Sequence, residues 1–164
     1  ISSEHRVRMT ELAVPQDWRA KQPTEFRIDL REAHQQTIPT IHILREIQNE
    51  YPDATIVFAT GIDVLTPRPE YGGVCDVLRY WVDGVALFRD WTFAVLPREG
   101  YPHPEMLQKE GKMPPRSLLL PRSSSSNAGI SSTEVRRRVR AGESFDAFVH
   151  PEVAEYIRTH GLYL

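Results

Sequence analysis

The sequence predicts an α/β fold in which helices flank a parallel sheet. Three short apolar runs, at 54–63, 91–97 and 117–121, have the length and residue types of strands. Helix-like segments alternate with these runs, and strands that alternate with helices favour a parallel sheet. Ligands of such sheets bind beyond the carboxyl ends of the strands, which here read "FATGID" and "VLPREG".

Composition limits the classes of protein that the chain can represent. Its 164 residues suit one domain, 1–164, and its net charge of −2 shows no overall bias toward nucleic acid or membrane. No apolar run approaches the roughly 20 residues of a membrane span. Cys75 is the single cysteine, so an internal disulfide is impossible and an intracellular location, cytoplasmic or nuclear, is expected.

The first part of the chain reads as helix, strand, helix. A helix over 4–14, capped by Ser2 or Ser3, is expected to end near Pro15. "EFRIDL", at 25–30, alternates apolar and polar residues as a strand does. The segment 40–51 places four apolar side chains on one helical stripe: Ile41, Leu44, Ile47 and Tyr51.

The remaining elements follow from apolar runs, turn residues and caps. The runs at 54–63 and 91–97 predict strands buried on both faces. Gly84 weakens a helix predicted over 77–88. The other segments are a loop at 66–76, an irregular stretch at 102–116, a short strand at 117–121, a polar loop at 122–129 and helices at 131–142 and 151–161.

The stretch "GISSTEVRRRVRAG", 129–142, carries the clearest helix signals. Ser131 and Glu134 have the spacing of a capping box, in which Glu134 reaches back to the Ser131 amide. Val135 and Val139, four residues apart, are expected to face the core. Gly142 suits a left-handed helix stop, so the predicted helix runs from Ser132 to near Ala141.

The first turn of this helix has the donors that a phosphate needs. Free backbone amides there carry partial positive charge, Ser132 and Thr133 add hydroxyls, and Arg136 lies one turn on. Gly129 would allow the preceding backbone to approach closely. The alternative is an ordinary capped helix with a solvated basic face. Three further arginines are expected to face solvent: Arg137, Arg138 and Arg140.

These residues resemble a known family. The stretch 130–163, "ISSTEVRRRVRAGESFDAFVHPEVAEYIRTHGLY", closely resembles the C-terminal end of nicotinate/nicotinamide mononucleotide adenylyltransferases, Rossmann-like members of the nucleotidyltransferase superfamily. "HRVRMTELAV", "TIHILREIQNEYPDA", "FATGIDVL" and "WTFAVLPREGY" resemble further family segments in the family's order. The family's GxFxPxHxGH motif, whose histidines contact ATP phosphates, has no match here. We therefore expect its strand-helix-strand unit to precede Ile1.

The resemblance implies adenylyl transfer from ATP to nicotinate or nicotinamide mononucleotide, which gives the dinucleotide and pyrophosphate in NAD biosynthesis. Mg²⁺ would accompany ATP, and neither nucleic acid nor membrane is an expected partner. One alternative is a related nucleotidyltransferase with another acceptor, such as a phosphopantetheine or cytidylyl enzyme. Another is a non-catalytic nucleotide-binding homologue. The segment 101–116 is a candidate either to cover the site or to contact another subunit of a homo-oligomer.

The resemblance also assigns candidate site residues. Arg136 is the catalytic candidate and also belongs to the ATP-binding set, which is Gly61, Asp63, Ile130, Ser131, Ser132, Thr133 and Arg136. The mononucleotide-binding set is Thr40, Trp81 and Arg98. Structural alternatives stay open for several of them: a strand-ending turn at 61–63, a core role for Trp81, a helix N-cap at Thr40 and a solvent-facing Arg98. Histidine and cysteine spacing predicts no metal site.

Overall fold

A computed structural model describes residues 1–33, 37–121 and 130–164. The loop predicted at 122–129, including Gly129, lies outside the described residues.

Two compact units are present: Ile38–Ala128, called the sheet unit, and Ile1–Thr37 with Gly129–Leu164, called the terminal unit. The described residues form helices α1 Ser3–Ala13, α2 Gln16–Ala20, α3 Thr40–Glu50, α4 Asp76–Tyr80, α5 Gly84–Asp90, α6 Pro104–Lys109, α7 Ser132–Ala141 and α8 Pro151–Thr159, and strands β1 Val57–Gly61, β2 Thr92–Leu96 and β3 Ser117–Leu119.

The sheet unit contains a parallel sheet with strand order β1-β2-β3, which confirms the predicted fold class. The register pairs Gly61 with Leu96, so β1 and β2 end level with each other. Helices α4 and α5 connect β1 to β2, and α6 connects β2 to β3. Residues that follow β1 and β2 therefore emerge side by side at the carboxyl edge of the sheet.

Apolar side chains from every layer of the sheet unit form one core. Phe93 and Val95 of the central strand β2 are fully buried, as the apolar composition of 91–97 predicts. From α3, Ile41 and Leu44 pack into this core, and the predicted stripe continues with half-buried Ile47. The other buried members are Ile62, Leu65, Cys75, Val77, Leu87, Leu107 and Met113.

Three predictions in the sheet unit are wrong in detail. Strand β1 is not buried on both faces, because it lies at one edge of the described sheet and leaves Val57 42% exposed. The helix predicted over 77–88 is two helices, which meet so closely that a Cβ on Gly84 would lie 1.9 Å from the Val77 carbonyl oxygen. The stretch 102–116, predicted to be irregular, contains α6, whose Leu107 is buried.

The terminal unit is held together by α7 and α8. Their apolar faces and the segment between them form a core of Val135, Val139, Phe145, Val153, Ala154, Ile157 and Leu162. Helix α1, which Ser2 caps as predicted, packs against α8. There the His5 Nδ1 atom hydrogen-bonds the Tyr156 hydroxyl at 2.9 Å.

The strand predicted at 25–30 is absent, since the described backbone there has no regular structure. Its apolar side chains have no sheet to cover: Leu30 is exposed and Phe26 packs edge-to-face on Trp18, with ring centroids 5.4 Å apart. Alternation along a chain predicts a strand only where a neighbouring strand is present to pair with it.

Candidate active site

The candidate residues fall in both compact units. Gly61, Asp63, Thr40, Trp81 and Arg98 belong to the sheet unit. Ile130, Ser131, Ser132, Thr133 and Arg136 belong to the terminal unit, at the start of α7.

The amino end of α7 is formed as the sequence predicts. Ser131 is in extended conformation, and its hydroxyl accepts a hydrogen bond from the Glu134 amide at 3.2 Å. This single bond satisfies one of the free first-turn amides. Ser132 and Thr133, the first two helical residues, are exposed. Both side chains are therefore open to solvent, where an anion can reach their hydroxyls.

Glu134 does not complete the capping box. Its carboxylate instead accepts hydrogen bonds from Arg137 and Arg138, each with a shortest distance of 2.8 Å. These two guanidinium groups lower the pKa of Glu134 to about 2, Arg137 having the larger effect. A carboxylate held by two cations on its own helix is drawn away from the backbone amide that it was predicted to reach.

The arginines of α7 are not equivalent. Arg137 also pairs with Glu143 at 2.7 Å. Arg138 was predicted to face solvent, and this prediction is wrong. It donates to the Ser144 carbonyl and its guanidinium lies 4.3 Å from the centre of the Phe148 ring. Arg136 is half-buried and its Nη2 donates to the Thr133 hydroxyl at 3.2 Å. Within the described part of the chain Arg136 forms no ion pair, so its charge is not neutralised by a carboxylate.

At the carboxyl edge of the sheet, two predicted residues meet. Asp63 lies in the short 3₁₀ turn Ile62–Val64 that follows β1, and Arg98 lies two residues beyond β2. The Arg98 Nη1 atom donates to Asp63 Oδ2 at 2.7 Å, with the two side chains 52% and 22% exposed. The sequence assigned both residues but missed their ion pair. The signal was available, because charged residues that follow adjacent parallel strands lie near each other.

Gly61 leaves room for the Asp63 carboxylate. A Cβ atom at position 61 would lie 2.3 Å from Asp63 Oδ1. The strand-ending turn considered for 61–63 is therefore real, and the glycine in it allows the carboxylate to fold back over the end of β1.

Trp81 lies between α4 and α5, at the margin of the sheet-unit core. It is half-buried and packs edge-to-face with Phe58, with ring centroids 6.1 Å apart. Trp91, which directly precedes β2, is also half-buried against this core. Trp81 therefore packs against the core while part of the residue stays exposed.

Thr40 is the first residue of α3, and the capping position is occupied by Pro39. The N-cap alternative for Thr40 is therefore not observed. Its side chain is half-buried at the amino end of a helix whose next residue, Ile41, is almost completely buried.

No group of three or more His, Cys, Asp or Glu side chains that could hold a metal ion occurs among residues 1–33, 37–121 and 130–164. Cys75 is buried in the sheet-unit core, and burial raises the pKa of its thiol. In the same ranges, no helix has the length and apolar character needed to cross a membrane.

Comparison with known proteins identifies the family. No model of a protein family matches the chain. The chain is 35% identical over 162 residues to a probable nicotinate-nucleotide adenylyltransferase of Thermus thermophilus, a match that covers 98% of this chain and 73% of the relative. The chain belongs to the nicotinate-nucleotide adenylyltransferase family. A further family member, from Pseudoalteromonas atlantica, is 32% identical over 180 residues and covers 98% and 72% of the two chains.

Solved structures confirm the fold of this adenylyltransferase family member. The Plasmodium falciparum nicotinic acid mononucleotide adenylyltransferase complexed with NaAD matches with a TM-score of 0.72 at 23% identity, over 98% of this chain and 73% of that one. The same enzyme complexed with APC gives a TM-score of 0.70 at 23% identity, over 98% and 74%. The resemblance found in the sequence and the Rossmann-like nucleotidyltransferase fold are both confirmed.

Proposed function

We propose that this protein transfers the adenylyl group of ATP to nicotinate mononucleotide, releasing pyrophosphate and forming the dinucleotide used in NAD biosynthesis. The observation that carries the proposal is the start of α7, where exposed Ser132 and Thr133 accompany Arg136, a cation without a carboxylate partner among the described residues. Relatives that are at least 30% identical over nearly the whole chain are named for the nicotinate form of the substrate, which favours the acid over the amide.

The α7 start is suited to the ATP phosphates. Amides of the first turn, the Ser132 and Thr133 hydroxyls and the Arg136 guanidinium supply hydrogen bonds and positive charge together. Ile130 and Ser131 lead the backbone into this turn, and the Ser131 cap fixes its geometry. The Arg136 charge would stabilise the phosphates most in the transition state, where negative charge increases on the leaving pyrophosphate.

The strand ends of the sheet unit supply the remaining assignments. The Asp63 carboxylate has one oxygen bonded to Arg98, and an aspartate at a strand end is suited to ribose hydroxyls. Gly61 gives this carboxylate its space. Arg98 then carries positive charge toward a mononucleotide phosphate. The exposed part of the Trp81 ring is suited to stack on the pyridine, and Thr40 would donate to the group that the pyridine carries.

The proposed reaction needs no protein nucleophile. A phosphate oxygen of the mononucleotide, already an anion, forms a bond to the α-phosphorus of ATP, and the bond from that phosphorus to the bridging oxygen of pyrophosphate breaks. The protein positions the two phosphates and neutralises charge, which accounts for catalysis in reactions of this type.

Mg²⁺ is assigned to the substrate and not to a protein site. Among the described residues, no three side chains that could bind a metal lie together, and the Asp63 carboxylate is paired with Arg98. Mg²⁺ binds readily to nucleotide phosphates and keeps several waters, so it would arrive with ATP.

The test is pyrophosphate release by the full-length gene product, with ATP and each mononucleotide in turn. We expect the nicotinate form to be used with the higher kcat/KM. Replacement of Arg136 by alanine should lower kcat/KM by about 100- to 1,000-fold, or about 2.7–4 kcal/mol of transition-state stabilisation. Arg140, exposed on the same helix, provides the matched control, and Arg140→Ala should retain activity. Binding of ATP with no release of pyrophosphate, whichever mononucleotide is supplied, would overturn the proposal.

A further inference from the structure

The loop 68–74, between β1 and α4, is closed on itself by backbone hydrogen bonds. The Arg68 amide donates to the Val74 carbonyl at 3.1 Å, and the Gly73 amide donates to the Arg68 carbonyl at 3.0 Å. Gly72 and Gly73 make the turn with φ of 67° and 81°, a region that side chains disfavour. The loop is therefore a defined structure and a firm base for the side chains that it carries.

Arg68 ties this loop to the beginning of α4. Its Nε and Nη2 atoms donate to the two oxygens of Asp76 at 2.8 and 3.0 Å, a bidentate pair. The side chains are only 30% and 22% exposed. Asp76 is the first residue of α4, so the pair fixes that end of the helix. The pKa of Arg68 is raised, chiefly by Asp76.

A second contact ties the loop to the other end of α4. The rings of Tyr71 and Tyr80 meet edge-to-face, with centroids 5.3 Å apart and planes at 88°. Interaction with Tyr80 also raises the pKa of Tyr71. Tyr80 is the last residue of α4 and directly precedes Trp81.

These contacts matter because α4 has only five residues. Isolated helices shorter than about 12 residues are marginal in water, so such a helix depends on its anchors for its orientation. Trp81, which follows it, is half-buried against the sheet-unit core, with its ring edge-to-face on Phe58. Because Trp81 directly follows α4, the direction of its ring depends in part on how firmly α4 is held.

We propose that Arg68 is a positioning residue for the mononucleotide, which acts through Asp76 and helix α4 on Trp81. This inference rests on the proposed function. It assigns a role to the loop 66–76, which the sequence predicts only as a connection.

The test compares Arg68→Met with Arg89→Met in the full-length protein. Arg89 forms a similar bidentate pair with Asp90, at 2.6 and 2.7 Å, but on the exposed surface of α5. We expect Arg68→Met to raise the KM for nicotinate mononucleotide roughly tenfold, since small misplacements of binding groups are costly, while the KM for ATP changes little. Arg89→Met should match the unmodified protein in both constants.

Two more variants keep the inference open to refutation if Arg68→Met folds poorly. Arg68→Lys keeps the charge but loses the planar fork, and should show a smaller rise in the same KM. Asp76→Asn should raise it as well, and adding Arg68→Lys to Asp76→Asn should have little further effect, because the two residues act as one unit. Equal KM values for Arg68→Lys and the unmodified protein, or equal rises for both substrates, would overturn the inference. An unmodified protein that releases no pyrophosphate would instead refute the proposed function.

Discussion

Replacement of Gly61 by alanine should lower the activity strongly and change the stability of the fold little. Gly61 has φ −76° and ψ 154°, which any residue adopts without strain. The added methyl group would nevertheless lie 2.3 Å from Asp63 Oδ1, at the free end of a side chain. Asp63 must therefore rotate away, and we expect this to weaken its 2.7 Å ion pair with Arg98.

The expected change in stability is small because the contributions oppose one another. Alanine in a permitted conformation stabilises by about 0.4–1 kcal/mol through the unfolded chain. A displaced Asp63 rotamer costs about 0.5–1.5 kcal/mol, and loss of a largely exposed ion pair costs about 0.2–1 kcal/mol. We expect the free energy of unfolding to fall by no more than about 2 kcal/mol. Misplacement of the carboxylate should lower kcat/KM by up to about 100-fold.

Urea unfolding and initial rates of pyrophosphate release measure the two effects. Gly84→Ala is the contrasting variant, because its methyl group would meet the backbone carbonyl of Val77 at 1.9 Å and cannot be relieved by a rotamer change. It should lose about 1–3 kcal/mol of stability or more. In a protein that already carries Asp63→Ala, the addition of Gly61→Ala should not lower the rate of pyrophosphate release any further. Full activity of Gly61→Ala would refute the role given to the placement of the Asp63 carboxylate.

Three further outcomes are expected. Glu134 has a folded-state pKa of about 2 against an ordinary 4.5, so its contribution to stability is present above pH 4.5 and is lost as the pH falls toward 2. The melting temperature of Glu134→Gln should therefore fall less over that pH range than that of the unmodified protein. Ser131→Ala should lower the free energy of unfolding by about 1 kcal/mol in urea, with Ser132→Ala, outside the cap, as the control. Trp81→Ala should raise the KM for the mononucleotide more than the KM for ATP, whereas equal rises would indicate a packing role.

Elements with local signals could be predicted from the sequence. Helix α7 begins and ends as predicted because Ser131 and Gly142 determine its ends through their own hydrogen bonds and backbone angles. Strand β2 was predicted because its apolar run reflects burial by neighbours on both sides. Helix α6 was missed because the prolines and charges around it outweigh its short apolar pattern, and its formation depends on burial of Leu107.

The failures in the candidate site have two physical origins, which are competition between partners and contacts between distant segments. Glu134 had the spacing to reach the Ser131 amide, but two arginines on the same helix compete for its carboxylate. The Asp63–Arg98 pair joins residues 35 positions apart, so it depends on the pairing of β1 with β2. The order of strands along the chain suggests that pairing, but neither segment encodes it alone. The family resemblance assigned Asp63 and Arg98 without indicating that they contact one another.

Because β2 is the central strand of the described sheet, its backbone amides should exchange hydrogen with solvent more slowly than those of the flanking turns. Strand β2 pairs with β1 on one side and with β3 on the other. On the β3 side the Phe93 amide donates to the Arg116 carbonyl and the Leu120 amide donates to the Val95 carbonyl. In deuterated water the amides of this strand can exchange only when the sheet opens, whereas those of the flanking turns exchange through local fluctuations. We therefore expect the amides of the segments that carry Asp63 and Arg98 to exchange before those of β2.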